Sequence, residues 1–213
     1  MPVVAVFERH APEYDQWFDA HEAVYQAEVA ALRRFVPREG LRIEVGVGTG
    51  RFAALLGITL GIDPSRRMLE IARQRGLTVC QAVGERMPFR DRQFDLVLLV
   101  TVICFVDDVS TLLRELRRVL NQDGHLIIGF ISRDSALGRA YEARRETSTF
   151  YRDARFYSVE EVSSWVKEAG FNTLRFCQTL FGSPDELSPW DLDVRDGYGE
   201  GAFVVICATN AAG

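Results

Sequence analysis

No run of 18 apolar residues occurs anywhere in the 213 residues, so no helix that spans a bilayer is expected. Basic residues do not gather into a long block either. The 25 basic and 30 acidic side chains leave a formal charge of -5, which disfavours a nucleic-acid partner. The pairs Arg33-Arg34, Arg66-Arg67, Arg117-Arg118 and Arg144-Arg145 are scattered and read as solvated helix faces. Cys80, Cys104, Cys177 and Cys207 form no CxxC, so neither a disulfide framework nor a zinc site is expected, and no other metal. Three of the four lie in strand-like runs and read as reduced core residues. The stretch "MPVVAVFERHAPEYD" lacks the basic start and apolar centre of a signal peptide, which makes a cytoplasmic location the expectation. There are no internal repeats. The length suits a single domain over residues 1–213, and 47% apolar with 26% charged residues is ordinary for a soluble globular protein.

From residue 41 onward, short apolar runs alternate with helical periodicity, the βαβ pattern of a parallel sheet covered on both faces. "LRIEVG", "ITLGID", "TVCQAV", "FDLVLLV" and "HLIIGFI" are five expected strands of a doubly wound α/β sheet. Val109, Leu112, Leu113, Leu116, Val119 and Leu120 recur at spacings of three and four, giving a one-faced helix before the turn "NQDG". "SRRMLEIARQRG" places Ser65 as N-cap and Gly76 as stop, and "SVEEVSSWVKEAG" places Ser158 and Glu161 as a capping box with Gly170 as stop. "TLRFCQTL" and "GAFVVICATN" add two strands. The Pro-, Asp- and Gly-rich segment 182–201 between them holds no crossover helix, so this pair should be antiparallel. The expected fold is a seven-stranded, mostly parallel sheet with an antiparallel edge strand. A polar, Arg- and Tyr-rich insertion, 132–157, follows the fifth strand. In the N-terminal region 1–38, Tyr14, Trp17, Phe18, Tyr25, Val29 and Leu32 have helical spacing. Their face either packs on the domain or covers a pocket as a lid.

"IEVGVGTGRF" sits where ligands settle in such sheets, beyond the carboxyl end of the first strand. Gly46, Gly48 and Gly50 remove side chains where the backbone must turn or approach a ligand. The dinucleotide pattern G-x-G-x-x-G, counted from Gly46, puts Arg51 where the third small residue belongs, and no Lys is present for a triphosphate loop. Glu44 would repel a pyrophosphate and suits a ligand bearing an ammonium group. Asp63 ends the second strand, placed to accept hydrogen bonds from two ribose hydroxyls or, alternatively, to cap the helix that follows.

In order, "EVGVGTGRF", "GIDPSRRML", "VGERMPFRDRQFDLVLL" and "LLRELRRVLNQDGHLIIGF" resemble the successive motifs of class I S-adenosylmethionine-dependent methyltransferases, over residues 41–131. The group most similar is type 11, which includes ubiquinone and menaquinone C-methyltransferases. "YDQWF" is similar to that family's lid helix, and "TVICFVDD", "FYRDARFYS" and "DGYGEGAFVVI" resemble an uncharacterised prokaryotic subgroup. The resemblance implies a Rossmann-like methyltransferase fold and a methyl group passed from S-adenosylmethionine, leaving S-adenosylhomocysteine, to a small-molecule acceptor. It implies that Glu44, Gly46, Val47, Gly48 and Gly50 surround the methionine part and that Asp63 holds the ribose. Pro64 and Met68 would line one side of the adenine, Gly84 and Glu85 would lie on the adenine-side loop, and Thr101 and Val102 would face the methionine end. This sequence departs from the family at Val83, where many relatives have an Asp that accepts the adenine amino group, and in the short segment "RFAALLG", with room for about two helical turns.

Methyl transfer from a sulfonium needs mainly orientation, so a catalytic residue is optional. Candidates for a base are Tyr14, His21 and Tyr198, with His10 and Glu200 as rivals; His125 opens an apolar strand and reads as structural. The acceptor pocket is expected from Trp17, Phe105, Tyr141, Arg155 and Tyr198, with Cys104 nearby. Arg139, Arg144, Arg145, Arg152 and Arg155 hint at an anionic acceptor, unless they form a solvated face paired with Glu142 and Glu146. No nucleic-acid or membrane partner is expected, and the chain should be a monomer or homodimer. Alternatives are an RNA or protein methyltransferase, or a non-catalytic S-adenosylmethionine-binding protein. Against nucleic acid, "TVIC" stands where an Asn/Asp-Pro-Pro-Tyr/Phe sequence would follow the fourth strand.

Overall fold

All seven apolar runs are strands in the computed structural model, which describes residues 2–182 and 192–210. They are β1 (Arg42–Val45), β2 (Leu60–Asp63), β3 (Thr78–Gln81), β4 (Phe94–Val100), β5 (Leu120–Ile131), β6 (Asn172–Thr179) and β8 (Phe203–Thr209). The described residues add an eighth, β7 (Arg195–Asp196), so the seven-stranded expectation is corrected to eight. Two exposed charged residues carry no apolar alternation, and only their pairing with Cys177 and Gln178 makes them a strand. Of the expected connection 182–201, residues 183–191 lie outside the described residues.

The strand order is β3-β2-β1-β4-β5-β8-β6-β7, parallel from β3 to β5. The antiparallel part lies at the other end, with β8 antiparallel to both β5 and β6 and β7 as the edge. β5 starts at Leu120, earlier than the apolar run suggests, because "NQDG" is absorbed as an irregularity against Phe94 and Leu96, with Asp123 at φ 61°.

Period-two alternation sends the side chains of β4 to two cores. Leu96, Leu98 and Val100 join a cluster with α3 (Glu22–Arg33), α4 (Arg51–Leu56) and α5 (Arg66–Gln74). Val97 and Leu99 join one with α6 (Val109–Val119) and α8 (Val159–Glu168). Each such side chain contributes about 1.5–3 kcal/mol on burial. The expected caps form: Ser65 Oγ accepts from the Met68 N–H at 3.2 Å, and Ser158 with Glu161 closes a capping box. Gly76 and Gly170, at φ +85° and +91°, stop their helices. The N-terminal periodic stretch breaks into α1 (Pro2–Arg9), α2 (Ala11–Ala20) and α3, and the insertion forms α7 (Ala136–Ala143). Of the three cysteines expected in cores, Cys80 is exposed, because β3 is the outer strand.

Candidate active site

Strand order reverses between β1 and β4, and the loops leaving β1, β2, β3 and β4 surround one cavity of about 820 Å³ including its mouth. Its walls include Gly46, Gly48, Asp63, Pro64, Met68, Val83, Gly84, Glu85, Thr101 and Val102. From α1 and α2 come Val4, Phe7 and Tyr14. The charged side chains among the lining residues are Asp63 and Glu85, both acids, so the wall offers no cation for a phosphate.

The glycine loop is held close to the strands by the Gly46 and Val47 N–H groups, which donate to Ile62 O at 2.8 and 2.9 Å. Gly46 has φ +72°, and a Cβ there would stand 2.3 Å from Val102 Cγ2, so any side chain would be strained and would close the cavity wall. Val47 turns away into the core, and Gly50 is the N-cap of α4; neither is among the lining residues. Both carboxylate oxygens of Asp63 are already fixed: Oδ2 accepts from the Gly48 N–H at 3.0 Å and Oδ1 from the Ser65 N–H at 2.8 Å. Asp63 thus makes the expected turn and also lines the cavity, while the cap of the following helix is Ser65. Burial pushes its pKa up to about 6, against the pull of the Ser65 and Gly48 amides. Glu44 lies behind the loop, 1% exposed, and its Oε2 has no hydrogen-bond partner. Burial holds its carboxyl well above the usual range, opposed by the Ala53 amide and reinforced by Asp63.

Arg51, at the position where a dinucleotide loop would need a small residue, ties the loop to α2. Its guanidinium reaches Asp15 at 3.0 Å and Asp19 at 2.6 Å, while Arg75 meets the same Asp15 at 2.7 Å. Burial would raise the Asp15 pKa, yet Arg51 and Arg75 outweigh it and bring it to about 2. On α1, Glu8 Oε2 accepts from Ser65 Oγ at 2.6 Å and from the Arg67 N–H at 3.2 Å. One ionic clasp on α2 and one hydrogen-bonded clasp on α1 therefore tie the N-terminal helices to the loops around the cavity, and the aromatic spacing revealed neither.

A second chamber, about 570 Å³ including its mouth, shares Tyr14 and Thr101 with the first. It is lined by Trp17 and Tyr141, two of the residues named for an acceptor pocket, and by Phe150, Tyr151 and Glu28, which sequence reasoning did not name. Glu28 carried a signal: with Tyr25, Val29 and Leu32 it lies on the buried stripe of α3, a place where a carboxylate is costly. It is 5% exposed, and burial alone pushes its pKa up to about 8. Burial, reinforced by the charge of Glu28, raises the Tyr14 phenol, which therefore stays protonated at neutral pH and donates rather than abstracts. Thr101 has φ 53°, strained for a β-branched residue.

Phe105 lines the first cavity rather than the second. Other expected site residues do not converge. His21 is exposed and stacked on Trp17 at 4.4 Å, and His10 contacts Glu13 at 3.5 Å on a separate depression. Tyr198 is 43% exposed against Phe176, and Glu200 pairs with Arg195. Arg155 is exposed, as are Arg139, Arg144 and Arg152, while Arg145 is half-buried and donates to Ala154 O at 3.3 Å, and none of the five lines either cavity. Their expected pairing with Glu142 and Glu146 is not seen among the described residues. Cys104 is buried, and burial pushes its thiol up to about 12, which removes it as a nucleophile.

Residues 43–128 match the methyltransferase domain family. The chain is similar to an uncharacterized protein of Methanocaldococcus jannaschii, 45% identical over 95% of this chain and 98% of that one. It is also similar to an uncharacterized protein of Mycobacterium tuberculosis, 41% identical over 100% of this chain and 76% of the other. A crystal structure from Thermotoga maritima, described as a SAM-dependent methyltransferase and possible histamine N-methyltransferase, superposes with a TM-score of 0.93 at 48% identity, covering 97% of this chain and 99% of that one. With the glycine loop, the Asp63 turn and the strand order already in place, these likenesses identify the chain as an enzyme of the class I S-adenosylmethionine-dependent methyltransferases.

Proposed function

We propose that this enzyme moves a methyl group from S-adenosylmethionine to a small-molecule acceptor, with the donor in the first cavity and the acceptor in the second. The observation that carries the reading is that the two cavities are neighbours with Tyr14 and Thr101 in the walls of both. The wall fits the donor: its charged groups are carboxylates, Glu44 Oε2 is an unpartnered acceptor behind the loop, and Gly46 and Gly48 present bare backbone to the cavity. When bound, the donor supplies a methyl group already activated by the sulfonium charge.

The residues of the chain then bind and orient. Asp63 accepts from the ribose hydroxyls, its two oxygens preset by Gly48 and Ser65. The Gly46–Gly50 loop follows the methionine part, and a nearby ammonium restores the ionised form of Glu44. Pro64, Met68, Gly84 and Glu85 enclose the adenine, with Val83 leaving recognition of its amino group to backbone atoms. Thr101 and Val102 face the methionine end. α1 and α2 act as the lid and the insertion 132–157 as a cap on one domain, excluding water so that positioning supplies most of the rate. This reading needs no metal, and it keeps the chain cytoplasmic, a monomer or homodimer acting on a free small molecule. Among the described residues, no helix is long and apolar enough to cross a membrane.

Titration calorimetry on protein stripped of endogenous ligand tests the reading. S-adenosylmethionine should bind at micromolar level, about -8 kcal/mol. Absence of heat would sink it.

A further inference from the structure

Seven of the twelve residues that line the second chamber are aromatic, three are aliphatic, one is Thr101 and one is Glu28. Tyr14 and Phe150 meet edge to face at 5.5 Å, and Tyr141 and Tyr151 stack at 5.1 Å. No arginine, lysine or histidine is among the lining residues, so Glu28 faces no cation. Its titratable neighbours are phenols: Tyr14 from α2, Tyr141 from α7 and Tyr151 from the segment that follows. A lone buried carboxylate inside an aromatic wall is a poor host for an anion or a neutral phenol. It suits an organic cation, which gains from the ring faces and from the carboxylate together.

We infer that the second chamber is the acceptor subsite for a small organic amine, bound as its ammonium against Glu28 and the aromatic rings. This rests on the reading of the first cavity as the methyl-donor site. An ammonium has no lone pair to offer. The acceptor nitrogen therefore gives one proton to a Glu28 carboxylate oxygen, and the freed lone pair takes the methyl group as the carbon–sulfur bond of the sulfonium breaks with its electrons left on sulfur. The N-methylated product is again a cation, and the proton on Glu28 leaves to solvent as product departs. A carboxyl pushed up to about 8 by burial exchanges that proton near neutral pH.

The test is binding of benzylamine, phenethylamine and their N-methyl forms against benzyl alcohol, 2-phenylethanol and benzoate, read by Trp17-region fluorescence and calorimetry. The full chain is used, with and without S-adenosylmethionine. Nα-acetyllysine amide stands in for a protein-borne amine. The amines should bind at least tenfold more tightly than the alcohols and benzoate, and Glu28→Gln should abolish that preference while S-adenosylmethionine binding changes less than twofold. Mass spectrometry should find the methyl group on nitrogen. Glu28→Asp should restore part of the preference, which a loss of folding would not allow. Equal affinity for amines and alcohols, or a preference that survives Glu28→Gln, overturns the inference. A lysine amide that outcompetes the free amines overturns its small-molecule part. Failure of S-adenosylmethionine to bind would instead count against the donor-site reading, so the two failures are told apart in one experiment.

Discussion

Replacing Glu28 by Gln should stabilise the protein, and do so only above acidic pH. Its carboxyl is raised from 4.5 to about 8 by burial alone. The folded state therefore holds the proton more tightly than the unfolded chain, so stability is full below the unfolded value and falls as pH rises towards 8. At about 1.36 kcal/mol per pKa unit, the ceiling of that loss is about 5 kcal/mol above pH 8. Water drawn into the chamber lowers it, and a residual on the order of 2 kcal/mol still moves Tm by several degrees in a domain of this size. Gln keeps the shape and removes the titration. Calorimetric melts of both proteins without ligand at pH 5, 7 and 9 should show near-equal Tm at pH 5 and a growing advantage of Glu28→Gln towards pH 9. Tyr14, Tyr141 and Tyr151 are raised and do not titrate in this window. The same Tm difference at every pH, or a variant less stable at pH 9, would refute the claim that Glu28 is buried without a partner.

Asp63→Ala removes the acceptor of two backbone N–H groups and of the proposed ribose bonds. At about 1.5–3 kcal/mol per charge-assisted bond, calorimetry should show S-adenosylmethionine binding at least tenfold weaker. The wild-type affinity should fall as pH drops through about 6, where Asp63 takes up a proton, and Asp63→Asn should lack that limb. For the clasp on α2, Asp15→Ala and Arg51→Ala should couple by about 0.5–3 kcal/mol in a double-mutant cycle followed by urea unfolding, since they share a 3.0 Å contact; additive effects would show that the pair is idle. Gly46→Ala, at φ +72° and facing Val102, should lose about 1–2 kcal/mol of stability from the backbone alone and bind the donor more weakly still.

What the sequence showed follows from the range of the forces involved. Apolar alternation is local, so all seven longer strands were readable in it, and side-chain capping acts within one turn, so Ser65, Ser158 and Glu161 were too. The glycine loop and Asp63 converge because strand ends fix them, and Gly84, Glu85, Thr101 and Val102 follow on neighbouring strand ends. Tyr198 and Arg155 failed for the opposite reason. Their type suggested a site, but their position depends on a connection and an insertion whose paths no periodicity records. The clasps between Arg51 and Asp15 and between Ser65 and Glu8 join residues 36 and 57 positions apart, pairs that only the fold can bring together.

Three features of the folded chain oppose its stability. Glu28 is buried with no cation among its chamber's lining residues, Glu44 Oε2 is buried with no hydrogen bond, and Thr101 is held at φ 53°. A positive φ at a β-branched residue costs of order 1–3 kcal/mol, and each buried carboxylate more unless it is protonated. Against a net stability of only about 5–15 kcal/mol, such costs are large. Apolar residues at 28 and 44 would extend the cores on which α3 and β1 already pack. On the proposed reading a ligand would remove the difficulty: a cation beside each carboxylate would supply the missing partner, and the bent backbone at Thr101 sets the wall that both cavities share. The two acids then divide the work by location, Glu44 behind the donor loop and Glu28 in the aromatic chamber, each drawing one positive charge on that same reading. An amine acceptor held there as its ammonium would not react until it shed its proton, and under the inferred acceptor site Glu28 is the residue on which the timing of transfer would depend.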